Sequence, residues 1–322
     1  MKLKLVILSL ISLTLIGSGA VHVRAQSAPA NGTPSRVEDL SRANTAEPPM
    51  LGIHWARGFN PSYLLRHAQK SSGTSPDMTW HGGIVLPATT MTSIFWGKSW
   101  GQSSFVKDKV IGLDSWYTGF GNSNYAATSD EYSGSNGGVT STTSYNGHVV
   151  DLSAASGGNR TSAILREVCK QFPKPVANGY YAVYVDLKRN GNYCAYHSWA
   201  SCNGTPIEFA FFWNLDGDPG CDPQSTVTTE SQGLAALANV SGHELSETRT
   251  DPTGAGWFDS SGAENGDKCA WTFEEPYVTF SNNAIWKIQG EWSNAAFNGG
   301  YGYLNSSGLD GCLQGDNDGD LN

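Results

Sequence analysis

The period of the hydrophobic pattern changes along the chain, and each change predicts an element. Residues 180–187 alternate Tyr, Val and Val against Ala, Tyr and Asp, while 193–199 and 207–215 are short aromatic and aliphatic runs either side of Cys202-Asn203-Gly204. Residues 91–96 make another such run, ending at Gly97, after a brief apolar segment (Ile84, Val85, Leu86) that Pro87 breaks. Runs of this length bounded by Gly, Pro and Asn predict β-strands. Elsewhere the period lengthens. Ile164, Leu165, Val168 and Phe172 recur at i, i+4 and i+8 before Pro173, and Val106, Val110, Ile111, Leu113 and Trp116 have helical spacing over 105–117. Residues 118–147 are Gly, Ser, Asn, Thr and Tyr with few aliphatics, which suits a long irregular region or short edge strands.

The longest helical pattern begins near Glu230. Thr229 and Gln232 form a Thr-x-x-Gln capping box, and Asp251, as the residue before Pro252, is pushed out of the helical region, so the helix ends near Arg249 or Thr250. At about 100° per residue, Leu234, Leu237, Ala238, Ser241, Leu245 and Thr248 form one stripe, which should face a sheet, and His243 and Glu247 project from the other side. Strands, a central helix and a cysteine-bearing tail predict a mixed α/β (α+β) fold, in one domain over 51–322 with its core at about 77–312.

Composition alters this picture at the N-terminus. Lys2 and Lys4, an apolar run over 5–16 and Val23-Arg24-Ala25 read as a signal peptide of residues 1–25, and 26–50 as a flexible leader without periodicity. The apolar run is short for a membrane span, no later stretch is a candidate, and no cysteine follows to carry a lipid anchor. The expected location is extracellular or periplasmic. The formal charge is −9 over 322 residues, and losing Lys2, Lys4 and Arg24 takes it to about −12. That acidity, without a basic cluster, argues against nucleic acid or anionic membrane as partner and favours cations. The six cysteines all lie in the C-terminal half with no Cys-x-x-Cys pair, which predicts three disulfides and leaves the pairing open.

The candidate chemistry is His243-Glu244-Leu245-Ser246-Glu247, which sets an imidazole and a carboxylate one helical turn apart, with Glu264 and Asp267 beyond a turn containing Pro252, Gly254 and Gly256. The alternative is a solvated face of Glu244, Glu247 and Arg249. The pentad resembles that of the gluzincin metallopeptidases, whose helix carries His-Glu-x-x-His and whose third ligand is a later glutamate; here Glu247 stands for the second histidine. The resemblance implies a zincin-like sheet packed on the metal-site helix, zinc held by His243, Glu247 and Glu264, and Glu244 as general base toward a metal-activated water in peptide hydrolysis. Asp267 is then expected to orient His243 through its other ring nitrogen, with Asp251 close behind the ligands. A carboxylate in place of an imidazole lowers the net charge at the ion and makes such water less acidic.

From Trp80 to Cys269 the chain is also similar to the phosphate-induced, or EXORDIUM, family of secreted plant proteins and their bacterial relatives. The similarity rests on Trp80-His81-Gly82-Gly83 ahead of a segment ending Trp96-Gly97, Cys194 with His197, Trp213 before Cys221, and above all His243-Glu244-Leu245-x-Glu247-x-x-Thr250-x-Pro252, then Trp257 and Asp267-x-Cys269. Asp251 replaces the usual Asn of the plant proteins, and Asp216 to Cys221 replaces their Cys-Pro-Gly-x-Cys-Ala-Trp stretch. The resemblance implies a cell-wall location and growth control rather than a reaction.

Three further features carry expectations. Asp216-Gly217-Asp218 and Asp316-Asn317-Asp318-Gly319-Asp320 have alternate oxygen side chains that suit calcium, without completing an EF-hand, and are otherwise solvated turns. His54 and His67 read as surface or packing residues, and His197 as a structural strand residue or an extra ligand. Eleven Trp and thirteen Tyr, several over 116–145, either fill the core or offer stacking platforms to a cell-wall carbohydrate in a non-catalytic binding protein.

Overall fold

The computed structural model describes residues 47–59, 75–225 and 229–315. The signal peptide, nearly all of the leader, His67 and the Asp316–Asp320 motif lie outside these residues. Six strands form the central sheet: β1 (Leu51–Trp55), β2 (Thr89–Trp96), β3 (Thr143–Asp151), β4 (Gly179–Lys188), β5 (Tyr193–Cys202) and β6 (Thr205–Asn214). Their spatial order is β1-β5-β6-β4-β2-β3. The four from β6 to β3 run parallel, while β5 lies antiparallel to β6, and β1 antiparallel to β5.

Parallel neighbours need long crossovers, and helices supply them: α1 (Lys109–Phe120) between β2 and β3, and α2 (Thr161–Gln171) between β3 and β4. β5 and β6 are joined instead by a two-residue turn, Asn203-Gly204, with φ of 51° and 85° at its two positions, as a tight hairpin requires. β4, β5 and β6 are buried along almost their whole length, so both faces of the sheet are covered. On one face α2 packs across β4, β5 and β6, with Phe172 just past its end against Tyr181. The other face carries α3 (Gln232–Thr250), where the Tyr184 hydroxyl lies 2.7 Å from Ser241 Oγ and the Tyr184 ring stacks on Phe212.

α3 starts later than its sequence suggests. Ser231 caps it by accepting from the Leu234 amide, and is itself fixed by Asp108, which accepts from its amide and hydroxyl at 2.6 and 2.5 Å. Gln232 is drawn off to accept from Gly217 N, so the Thr229–Gln232 box does not form. The end at Thr250, with Asp251 as cap, is where Pro252 places it. Every residue from Gly233 to Thr250 is buried. The stripe reading captured one contact face of a helix that is surrounded: α1 covers Leu234, the sheet meets Ser241, and C-terminal loops take the remainder. The solvated-face alternative is thereby excluded.

Residues 143–147, the end of the stretch expected to be irregular or short edge strands, open a long strand at the sheet edge, β3, whose burial alternates in the period-2 manner of a half-covered strand. Residues 84–86 lie outside the strands. The helix expected over 105–117 is split into a turn at Ser103–Val106 and α1. The aromatics of 116–145 chiefly fill the core, with Trp116, Tyr117, Phe120, Tyr125 and Tyr132 all buried. Three disulfides staple the fold: Cys169–Cys202 ties α2 to β5, Cys194–Cys221 ties β5 to the loop after β6, and Cys269–Cys312 closes the C-terminal segment. No helix among the described residues is long and apolar enough to cross a membrane.

Candidate metal centre

Four elements converge near the C-terminal half of α3. The helix itself brings His243, Glu244 and Glu247, all essentially inaccessible. The turn after it returns Glu264 and a short helix, α4 (Asn265–Lys268). β5 contributes His197, which by strand parity shares the α3 face with Ala195 and with Ala210 of β6, its pairing partner. β1 lies along the outer edge of β5 and brings Gly52 and His54.

Glu247 is the shared member. Ligand atoms of His197, Glu247 and Glu264 lie within 4.8 Å of one another, and so do those of His243, Glu247 and Asp267. His243 Nε2 is 3.1 Å from Glu247 Oε1 and His197 Nε2 is 3.5 Å from Glu264 Oε2, but neither approach has the alignment of a hydrogen bond. His197 Nδ1, Glu244 Oε2 and Glu264 Oε2 are likewise buried without a hydrogen-bond partner. Buried polar atoms in such a state are rare, and their convergence fits a cation better than an apolar core. A buried His/Glu triad able to hold a metal ion is therefore present.

Charge supports the same reading. Burial, and after it the neighbouring Glu247, drives the Glu244 and Glu264 carboxyls well above the usual carboxylate range. No Lys or Arg forms an ion pair with Glu244 or Glu264 among the described residues. Arg249, on the same helix, is turned away, donating to Ala126 O and Thr140 O. Burial pushes the imidazoles the other way, His197 down to about 3 and His243 to about 4, so both are neutral nitrogen donors at neutral pH.

The surroundings hold these groups in place. Asp267 N donates to Glu247 Oε1 at 2.9 Å. Gln289 Nε2 donates to Gly266 O at 2.7 Å and lies 3.1 Å from His243 Nδ1. The ring nitrogen expected to face Asp267 is thus held by Gln289, and Asp267 meets the site through its amide and its proximity to His243 and Glu247. Gly266 is obligatory at this approach, because a Cβ there would sit 2.9 Å from His243 Nδ1. Asp251 accepts from Gly256 N at 2.6 Å, shaping the turn that returns Glu264; burial raises it to about 6.

Sequence reasoning missed His54 and Gln289. His54 is fully buried, its amide donates to Glu244 Oε1 at 3.3 Å, and its ring lies 4.1 Å from that of His243 and stacks on Trp271. No local signal marks it, since the contact spans 190 residues. His197 was within reach of the parity argument once β5 and β6 were paired. The calcium expectation for Asp216-Gly217-Asp218 fails: Lys109 Nζ takes Asp216 at 2.6 Å and Arg189 takes Asp218 in a two-pronged contact at 2.5 and 2.9 Å. No protein-family model, curated protein or solved structure matches the chain.

Proposed function

We propose that this chain is an exported, EXORDIUM-like protein with a zincin-like layout and a zinc metallopeptidase-type site. The observation that carries the reading is the buried convergence of Glu247 and Glu264 with His197, and of Glu247 and Asp267 with His243, beside a further carboxylate, Glu244, that forms no ion pair with a Lys or Arg among the described residues. Glu247 and Glu264 would hold the ion with nitrogen from His243, as the helix motif implies, and from His197, which the fold adds. Imidazole and carboxylate in small number favour zinc over calcium, which prefers more oxygens. The chemistry such an ion supplies when bound is polarisation of a substrate carbonyl and a lowered pKa for water.

The chain's own residues then have separable tasks. Glu244 is desolvated and lies beside Glu247, which raises its proton affinity above that of an exposed carboxylate, the direction a group that takes and returns a proton needs. Gln289 keeps the His243 ring oriented. The three disulfides fit export into an oxidising compartment. The substrate in this reading is a peptide; a non-catalytic wall-binding protein stabilised by the same ion is the alternative.

Two variants separate these roles. Glu247→Ala is expected to lose bound zinc, whereas Glu244→Gln keeps zinc and loses any hydrolysis of an unfolded protein substrate that the zinc-loaded parent performs. Zinc retained by Glu247→Ala, or hydrolysis retained by Glu244→Gln, contradicts the assignment. Zinc binding in a parent inert toward peptides in every form tested, including forms opened at β1, favours the wall-binding alternative.

A further inference from the structure

The candidate histidine and glutamate ligands and Glu244 are buried, and β1 lies against them. Gly52, at φ 42°, sits so close that a Cβ there would fall 2.2 Å from His197 Nε2 and 2.3 Å from Glu247 Oε2. Two residues on, the His54 amide donates to Glu244 Oε1, and its ring covers His243. One short strand thus approaches His197, Glu247 and His243 and contacts the proposed base, Glu244.

We propose that the outer edge of β5 above Glu247 is a binding site for an extended polypeptide strand, and that β1 is its resident, displaceable occupant. This deepens the peptidase reading and rests on it for the substrate class. Three observations carry it. β1 is the outermost strand, paired only with β5, and the register slips on both sides of His54, so its ladder is less regular than those inside the sheet. Beyond the ladder, the segment through β1 is held at main-chain oxygens that any peptide offers, Ser198 Oγ donating to Pro49 O, Thr161 Oγ1 to Pro48 O and Trp271 Nε1 to Trp55 O, and by the buried His54 ring against Trp271. Main-chain recognition along a sheet edge gives affinity for a strand, and pockets for its side chains give specificity. Here the closest approach admits only glycine, and Arg57 lies over Trp271 with its guanidinium donating to Asp222 O. The edge therefore suits a peptide strand with glycine above Glu247 and a basic residue shortly after it.

The test uses the full chain and two independent readouts. In the native protein, amide exchange in β1 is expected to be roughly a hundredfold faster than in β4, because opening the edge does not require global unfolding. Gly52→Ala is expected to stay folded with a cooperative melt at a lower temperature, to lose protection in β1 and along the β5 edge, and to regain the latter with a synthetic peptide of residues 47–59. Equal protection of β1 and β4, global unfolding of Gly52→Ala, or failure of the peptide to protect β5 overturns the proposal. Zinc content is measured on both forms: absence of zinc rejects the metal site alone, since exchange and peptide protection decide the role of β1 without it.

Discussion

Replacing Lys268 by Met should cost about 3 kcal/mol, the lower end of the range for breaking a buried ion pair. Lys268 Nζ lies 2.9 Å from Asp259 Oδ2, with the two side chains only 2% and 8% exposed, and it also donates to Pro76 O. Asp259 Oδ1 accepts from Ser261 N, Ser261 Oγ and Ala263 N, tying the turn that immediately precedes Glu264. Those three donors remain in the variant, which is why the lower end applies. Methionine keeps the packing of the aliphatic stem on Trp292, over which Nζ lies at 4.4 Å, so the charge is the main loss. At about 2–4 °C per kcal/mol for a domain of this size, melting should fall by roughly 6–12 °C.

The pH dependence supplies a second check. Burial raises the Asp259 carboxyl, but the Lys268 charge and the Ser261 hydrogen bond outweigh it and leave it below the usual value. A depressed carboxylate contributes stability that is present above its unfolded pKa of about 4 and is lost as pH falls through the folded value. Without Lys268 the carboxyl loses the charge that does most to lower it and rises, so the gap between parent and variant is greatest near neutrality and narrows in acid. Urea unfolding followed by tryptophan fluorescence across pH measures it. A difference below about 1 kcal/mol at neutral pH, or one that does not narrow in acid, refutes the reasoning.

Two further outcomes follow from the same structure. Cys269→Ser with Cys312→Ser should cost about 4 kcal/mol from loop entropy over the 43-residue separation, read by unfolding of the double variant; a loss below about 1 kcal/mol contradicts it. His197→Ala should weaken zinc roughly tenfold or more, by competition with a chromogenic chelator, if β5 supplies a ligand, and unchanged affinity assigns His197 to packing alone.

The elements with strong local signals were legible. Pro173 and Pro252 end α2 and α3 where they must, and alternation found β4, while Cys202-Asn203-Gly204 marked the hairpin. What escaped depends on distant partners. Ser231 became the cap because Asp108 anchors it, and β3 looked irregular because an edge strand needs few aliphatics. A helix buried all round cannot be recognised from one stripe when its other faces are polar, as with Arg249, whose Nη2 donates to two distant carbonyls. The same limit applies at the site. His243, Glu244 and Glu247 are adjacent in sequence, but His197 and His54 arrive on strands whose pairing decides which face they share.

The central claim is that an ion belongs among these buried carboxylates. Protein loaded with zinc and passed free of excess should be assayed for metal by atomic emission while melting is followed with and without a chelator. About one equivalent is expected per chain, with chelation lowering the melting temperature, because removing the ion leaves the buried Glu247 and Glu264 carboxyls with less to offset their charge. Less than roughly a tenth of an equivalent after loading, with no chelator effect on melting, would contradict the account.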